Sequence, residues 1–69
     1  MNEIWLYGKD YKGYSEDFAL IAKITSWVGV EVCDYYYSKE GKLLGRDFIF
    51  PLNLKNRVRK EFSKNRLYI

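Results

Sequence analysis

The sequence predicts an α+β protein: a small antiparallel sheet with helices, in a single domain spanning residues 1–69. Residues 30–50 hold two segments rich in Val, Tyr, Phe and Ile around a polar turn with a glycine, which is the pattern of a β-hairpin. Residues 54–65 repeat an apolar side chain every fourth position among basic ones, which predicts an amphipathic helix. A chain of 69 residues has room for one domain, which buries only about 60% of its unfolded surface.

An N-terminal strand is predicted over residues 3–7, which are apolar and aromatic and are followed by Gly8. Residues 9–14 combine Asp10 and Gly13 with two tyrosines, and we expect them to form a loop or wide turn. The first fourteen residues are therefore expected to contribute one strand to the sheet.

The hairpin follows at residues 30–50. Its first strand runs to Tyr37, its turn contains Gly41, and its second strand ends before Pro51, which cannot donate a hydrogen bond to a sheet. The hairpin and the N-terminal strand together make the predicted sheet.

The register of this hairpin has two readings. A two-residue turn ending at Gly41 sets Asp34 opposite Asp47, where like charges repel each other. A longer turn with a bulge at Gly41 sets Tyr36 opposite Arg46 and allows a cation–π contact. We expect the second register because it removes the repulsion.

Residues 15–27 are expected to form a helix. Ser15 is a candidate N-cap, Gly29 is a natural residue just beyond a helix end, and alanines and a leucine lie between them. The β-branched and aromatic residues of the same segment leave a strand as the alternative, with Phe18 and every second residue after it on one face.

The C-terminal helix is predicted over residues 54–65, with Asn53 as its N-cap. Leu54, Val58 and Phe62 form its apolar stripe. Residues 52–69 hold six basic side chains and one acidic, although the whole chain has a net charge of only +3. Such a concentration of positive charge is typical of a phosphate-bearing or acidic partner.

The chemical groups that are missing indicate that the chain is not an enzyme. It has no histidine and one cysteine, Cys33, so the commonest general base and a zinc site are both absent. No glycine-rich phosphate loop is present. The carboxylates of Glu31, Asp34 and Asp47 are expected to be solvated charges rather than metal ligands. We therefore predict no catalytic residues, no metal and no cofactor.

The expected location is the cytoplasm. A single cysteine allows no intramolecular disulfide, and the N-terminal segment turns polar by Lys9, too early for a targeting segment. No apolar run approaches the roughly 20 residues that a membrane span needs. We expect no membrane partner.

The aromatic content indicates binding. Aromatic residues make up 19% of the chain, and the Tyr35-Tyr36-Tyr37 run places at least one ring toward solvent if helices cover only one side of the sheet. Large rigid rings beside positive charge anchor protein interfaces, and they also stack on single-stranded nucleic acid. The candidate binding residues are Trp27, Tyr35, Tyr36, Tyr37, Arg46, Arg57, Lys60 and Lys64.

Residues 27–62 resemble the single-stranded-DNA-binding domain of the transcriptional coactivator positive cofactor four. The matching features are Trp27 before Gly29, Asp34-Tyr35-Tyr36, Glu40-Gly41, Gly45-Arg46 and the helix from Leu54. The resemblance implies a curved antiparallel sheet followed by one helix, a homodimer formed through that helix, and binding of single-stranded DNA. It also implies that residues 18–28 are extended.

The sequence thus leads to two main hypotheses of function, and a metal-dependent nuclease is retained only for completeness. In size and style the chain looks like the small accessory proteins of phages and mobile elements, including the anti-CRISPR proteins. The first hypothesis is therefore a stoichiometric inhibitor that occupies a functional surface of a host protein or nucleoprotein. The alternative is a module that binds single-stranded DNA or RNA through Trp27, Tyr36, Arg46 and the basic helix. A homodimer is compatible with either, because the apolar stripe is narrow and the core is small.

Overall fold

The computed structural model describes the backbone of residues 2–66 and the side chains of residues 2–64, and it has an α+β fold. Its elements are β1 (Asn2–Tyr7), β2 (Asp10–Ser15), α1 (Phe18–Thr25), β3 (Glu31–Tyr37), β4 (Leu43–Phe50), a 3₁₀ turn (Leu52–Leu54) and α2 (Lys55–Arg66). The four strands form one antiparallel sheet in the order β1-β2-β4-β3. The predicted fold class is confirmed, with its N-terminal strand, its hairpin and its two helices.

Strand β2 is the element that the sequence analysis did not predict. The prediction of a loop at residues 9–14 is wrong, because Asp10–Ser15 form this strand. β2 lies inside the sheet between β1 and β4. A Cβ atom on Gly13 would lie 2.7 Å from the ring of Phe48 and 3.2 Å from that of Phe50. Gly13 is therefore a strand residue that leaves room for two core rings, rather than a turn residue.

Helix α1 confirms the helical reading of the segment after β2, over a shorter range than expected. Asp17, not Ser15, is its N-cap, and the Asp17 Oδ1 accepts a hydrogen bond from the Leu20 backbone N–H at 3.1 Å. Ser15 supports the cap, because its Oγ accepts from the Asp17 N–H at 3.1 Å. Ile21 and Ile24 are buried in the helix, so β-branched residues serve here as core.

Both helices pack on the same face of the sheet and enclose the core there. The core residues are Leu20, Ile24, Phe48, Phe50, Val58 and Phe62. Helix α2 begins at Lys55, and Asn53, its expected N-cap, lies instead within the 3₁₀ turn. In the described part of the chain, no helix has the length and apolar character to cross a membrane.

The hairpin register differs from the expected one. Tyr35, not Tyr36, is opposite Arg46, and Tyr36 is opposite Gly45. A bulge between Val32 and Tyr35 places two β3 residues, one of them Asp34, across from Asp47. The two carboxylates that were expected to repel each other do lie close together.

Candidate binding face

The candidate site is the face of the sheet that the helices leave uncovered, which we call the sheet face. Phe48 and Phe50 point toward the helices. Asp47 and Ile49 alternate with them along β4, so their side chains point the other way. Residues paired across antiparallel strands share a face. The strand side chains that this alternation places on the sheet face are Glu3, Trp5, Tyr7, Asp10, Lys12, Tyr14, Glu31, Asp34, Tyr36, Asp47 and Ile49. Tyr37 and Leu44 reach the same face at the irregularity between Tyr36 and Tyr37.

A groove of about 420 Å³ opens on the sheet face. Its lining, the aromatic groove, consists of Glu3, Trp5, Tyr14, Tyr36, Tyr37, Leu44 and Asp47. Trp5 is 39% exposed, Tyr36 42% and Tyr37 59%. Four aromatic residues thus surround a concave surface that solvent reaches, which is the composition of a binding hot spot.

Asp47 lies in the lining of the groove and is only 1% exposed. Its Oδ2 accepts a hydrogen bond of 2.6 Å from the Tyr36 hydroxyl and lies 3.4 Å from the Lys12 Nζ. The same Nζ lies 3.9 Å from the Asp34 Oδ2, so Lys12 holds both carboxylates across the bulge. The Asp47 Oδ1 is buried and has no hydrogen-bond partner.

These contacts change the proton affinity of the groove residues. The hydrogen bond to Asp47, followed by burial and the nearby carboxylate charges, raises the pKa of Tyr36 to about 12. Burial opposes the charged form of Lys12, yet its hydrogen bond and charge interaction with Asp47 leave its pKa above the ordinary value. Burial and a 3.0 Å hydrogen bond to Glu16 raise the pKa of Tyr14.

The sheet face is acidic, in contrast to the basic chain as a whole. Its strand residues carry one ammonium group, that of Lys12, and five carboxylates. The acidic side chains are Glu3, Asp10, Glu31, Asp34 and Asp47. Most of the positive charge of the chain is therefore located elsewhere, largely on α2.

The structure separates the candidate residues that the sequence grouped together. Tyr36 and Tyr37 line the aromatic groove. Tyr35 points to the other side of the sheet, where the Arg46 guanidinium lies 3.9 Å from the centre of its ring. The predicted cation–π contact of Arg46 exists, but Tyr35 provides the ring.

The other candidates lie on the helix side. Trp27 packs against the core, and the Arg57 guanidinium covers its ring at 3.9 Å. Lys64 is 3.6 Å from Glu61, which also binds Lys23 at 2.9 Å and whose pKa is lowered mainly by the Lys23 hydrogen bond. Lys60 is exposed. These basic residues and the aromatic groove do not form one surface.

Sequence reasoning missed the groove residues outside the hairpin. Glu3 and Trp5 alternate in β1, and Tyr14 belongs to the strand that was read as a loop. The available signal was the alternation of Asp10, Lys12 and Tyr14 at every second position. Gly13 lies within this pattern and suggests a turn in the sequence, but it does not end the strand.

Within the described residues, no three of the Cys, Asp and Glu side chains come together in a group that could hold a metal ion. Cys33 is half-buried and is a free thiol. The chemical resources of the sheet face are thus exposed rings and carboxylates, which can bind by stacking, hydrogen bonding and charge.

Comparison with known proteins identifies no relative of this chain. No family model, no curated protein and no solved structure matches it. The resemblance of residues 27–62 to the positive cofactor four domain stays a prediction.

Proposed function

We propose that this chain is a non-enzymatic binding protein that inhibits a protein or nucleoprotein by occupying one of its functional surfaces in a stoichiometric complex. The observation that carries the proposal is the aromatic groove on the uncovered sheet face. A protein of this size gains stability by burying its aromatic side chains, yet Trp5, Tyr36 and Tyr37 stay accessible. Exposed rings that cluster around a concavity are typical of an interface.

The charge of the sheet face favours a basic partner surface. The strands place five carboxylates on this face, and two of them, Glu3 and Asp47, line the groove with the rings. Opposite charge on a partner speeds association and selects against acidic surfaces. Proteins use basic surfaces to hold nucleic acid. The partner class that fits best is therefore a nucleic-acid-binding protein or a nucleoprotein complex, whose basic surface the sheet face would cover.

Direct binding of single-stranded nucleic acid has less support. That activity needs stacking rings within a cationic groove that follows the phosphates. The accessible rings lie among carboxylates, while Arg57 and Lys60 lie on the helix side. The charged and stacking parts of a nucleic-acid site are thus on different faces.

Affinity capture from a lysate of the source cells tests the proposal. We expect the wild-type chain to retain one protein in stoichiometric amount, and Trp5→Ala to weaken that complex by about 30-fold, as truncation of a buried aromatic anchor does. Tyr37→Ala is a second groove variant, because it changes a more exposed ring. Trp27→Ala is the matched control, and circular dichroism verifies that each variant is folded.

Two results would contradict the proposal. One is a captured protein that Trp5→Ala and Tyr37→Ala retain as well as the wild type does. The other is tight binding of a labelled oligonucleotide that weakens steeply with salt and is lost in Trp5→Ala, which would assign the face to nucleic acid.

A further inference from the structure

Several basic side chains of this protein form cation–π contacts with its own aromatic rings. Among the described side chains, four basic groups lie over rings, whereas about one such contact per 70–80 residues is usual. The pairs are Lys12 with Tyr7, Arg46 with Tyr35, Lys55 with Tyr11 and Arg57 with Trp27, at 3.9–5.0 Å from the ring centres. All four rings lie outside the lining of the aromatic groove.

The rings of the groove are thus accessible, and no cation of the described residues is found over them. Tyr14 and Tyr36 meet edge to face, with ring centres 5.4 Å apart, and Trp5 and Tyr37 complete the lining. Electron-rich faces arranged around a concavity attract a cation, and this is how proteins recognise ammonium and guanidinium groups. Glu3, also in the lining, supplies a carboxylate at the same place.

Asp47 gives an independent indication of a positively charged occupant. It is 1% exposed, it belongs to the lining, and its Oδ1 lacks a hydrogen-bond partner. Because this oxygen is itself buried, it acts on the groove through its negative charge rather than by accepting a hydrogen bond from a ligand there. The Lys12 ammonium serves Asp34 as well as Asp47, so the local charge stays negative.

We propose that the aromatic groove binds an arginine side chain of the partner protein, between the rings and beside the carboxylates of Glu3 and Asp47. Arginine fits better than lysine because its planar guanidinium stacks on rings and forms paired hydrogen bonds with a carboxylate. The groove volume of about 420 Å³ accommodates one such side chain. This inference rests on the proposed function and names the chemistry of the contact.

The two tryptophans of the chain provide the test, since Trp5 lines the groove and Trp27 lies on the helix side. The probe is N-acetyl-arginine methylamide, titrated into the labelled protein while NMR follows the two indole N–H signals. Trp5→Phe and Trp27→Phe assign the signals. We expect a saturable shift of the Trp5 signal, and no comparable shift of the Trp27 signal.

Matched probes and variants identify the interaction. The citrulline analogue has nearly the same shape without the charge and should leave the Trp5 signal in place, while the lysine analogue should bind more weakly than arginine. Glu3→Gln should weaken arginine binding about threefold, as loss of one accessible ion pair does. Glu31→Gln removes the same charge from the same face outside the groove and should change little.

Equal shifts of both indoles, an equal response to citrulline, or lysine binding as tight as arginine binding would overturn the inference. So would an unchanged Trp5 signal throughout the arginine titration. If partner capture still depends on Trp5 in that case, the proposed function survives and only the arginine assignment is lost. If arginine binds but capture does not depend on Trp5, the proposed function fails on its own.

Discussion

At the scale of single residues, Asp47 links β4 to both neighbouring strands. It receives the Tyr36 hydroxyl and the Lys12 ammonium on one oxygen, and both partners come from neighbouring strands. The side chain of Lys12 is only 14% exposed, so its charge acts in a place where solvent screens it little. The positive charge of this ammonium offsets the repulsion between the Asp34 and Asp47 carboxylates across the bulge.

Alkaline titration tests this arrangement at Tyr36. Its pKa is about 12 in the folded protein, against an ordinary value of 10.0, because Asp47 accepts its proton in a hydrogen bond. We expect tyrosinate absorbance to show a tyrosine that ionises late, and Tyr36→Phe to remove that step. Tyr35→Phe, on the same strand and the other face, should retain it.

The raised pKa of Tyr36 makes the stability of the folded protein depend on pH in the alkaline range. Between the two values the folded protein keeps a proton that the unfolded chain has lost, so the stabilising contribution of Tyr36 is full below pH 10.0 and declines as the pH rises toward 12. A Tyr36 that ionises together with the ordinary tyrosines would contradict the hydrogen bond to Asp47.

At the scale of elements, β2 joins the two halves of the sheet face. Its residues pair with β1 on one side and β4 on the other, so Glu3 and Trp5 reach Asp47 and Tyr36 only through it. Gly13 makes this possible because any larger side chain there would collide with Phe48.

Gly13→Ala is therefore expected to destabilise the protein by about 1–3 kcal/mol, which is typical of overpacking a core. The measurement is the free energy of unfolding in urea. In a Phe48→Leu background the same change should cost less, because the smaller side chain leaves room for the new methyl group. An equal cost in both backgrounds would show that the collision with Phe48 is not the cause.

Sequence reasoning succeeded for elements whose patterns are strong. The hairpin has a continuous run of strand-forming residues on both sides of its turn, and α2 has a regular apolar stripe, so both were predictable. β2 was not, since glycine inside a strand and glycine in a loop look the same until the ring that needs the space is known. The register failed for a similar reason: the charge that reconciles Asp34 with Asp47 comes from Lys12, which is distant in sequence.

At the scale of the whole molecule, charge is divided between two sides. The sequence shows a basic C-terminal segment, but only the fold shows that acidic residues from four strands converge on one face. The aromatic residues are divided in the same way, since Trp5 and Tyr36 lie with the carboxylates while Trp27 and Tyr35 lie under arginines. Candidate residues chosen by type therefore came from both sides, and only Tyr36 and Tyr37 lie in the groove.

We propose that this protein acts by placing its acidic, aromatic sheet face against a partner. The most direct measurement is NMR cross-saturation from the captured partner to the labelled chain, which marks the residues in contact. We predict transfer to the Trp5 indole and the sheet-face residues of β1 and β2, with none to the Trp27 indole. Transfer to Trp27 and the exposed side of α2, with Trp5 unaffected, would contradict the account.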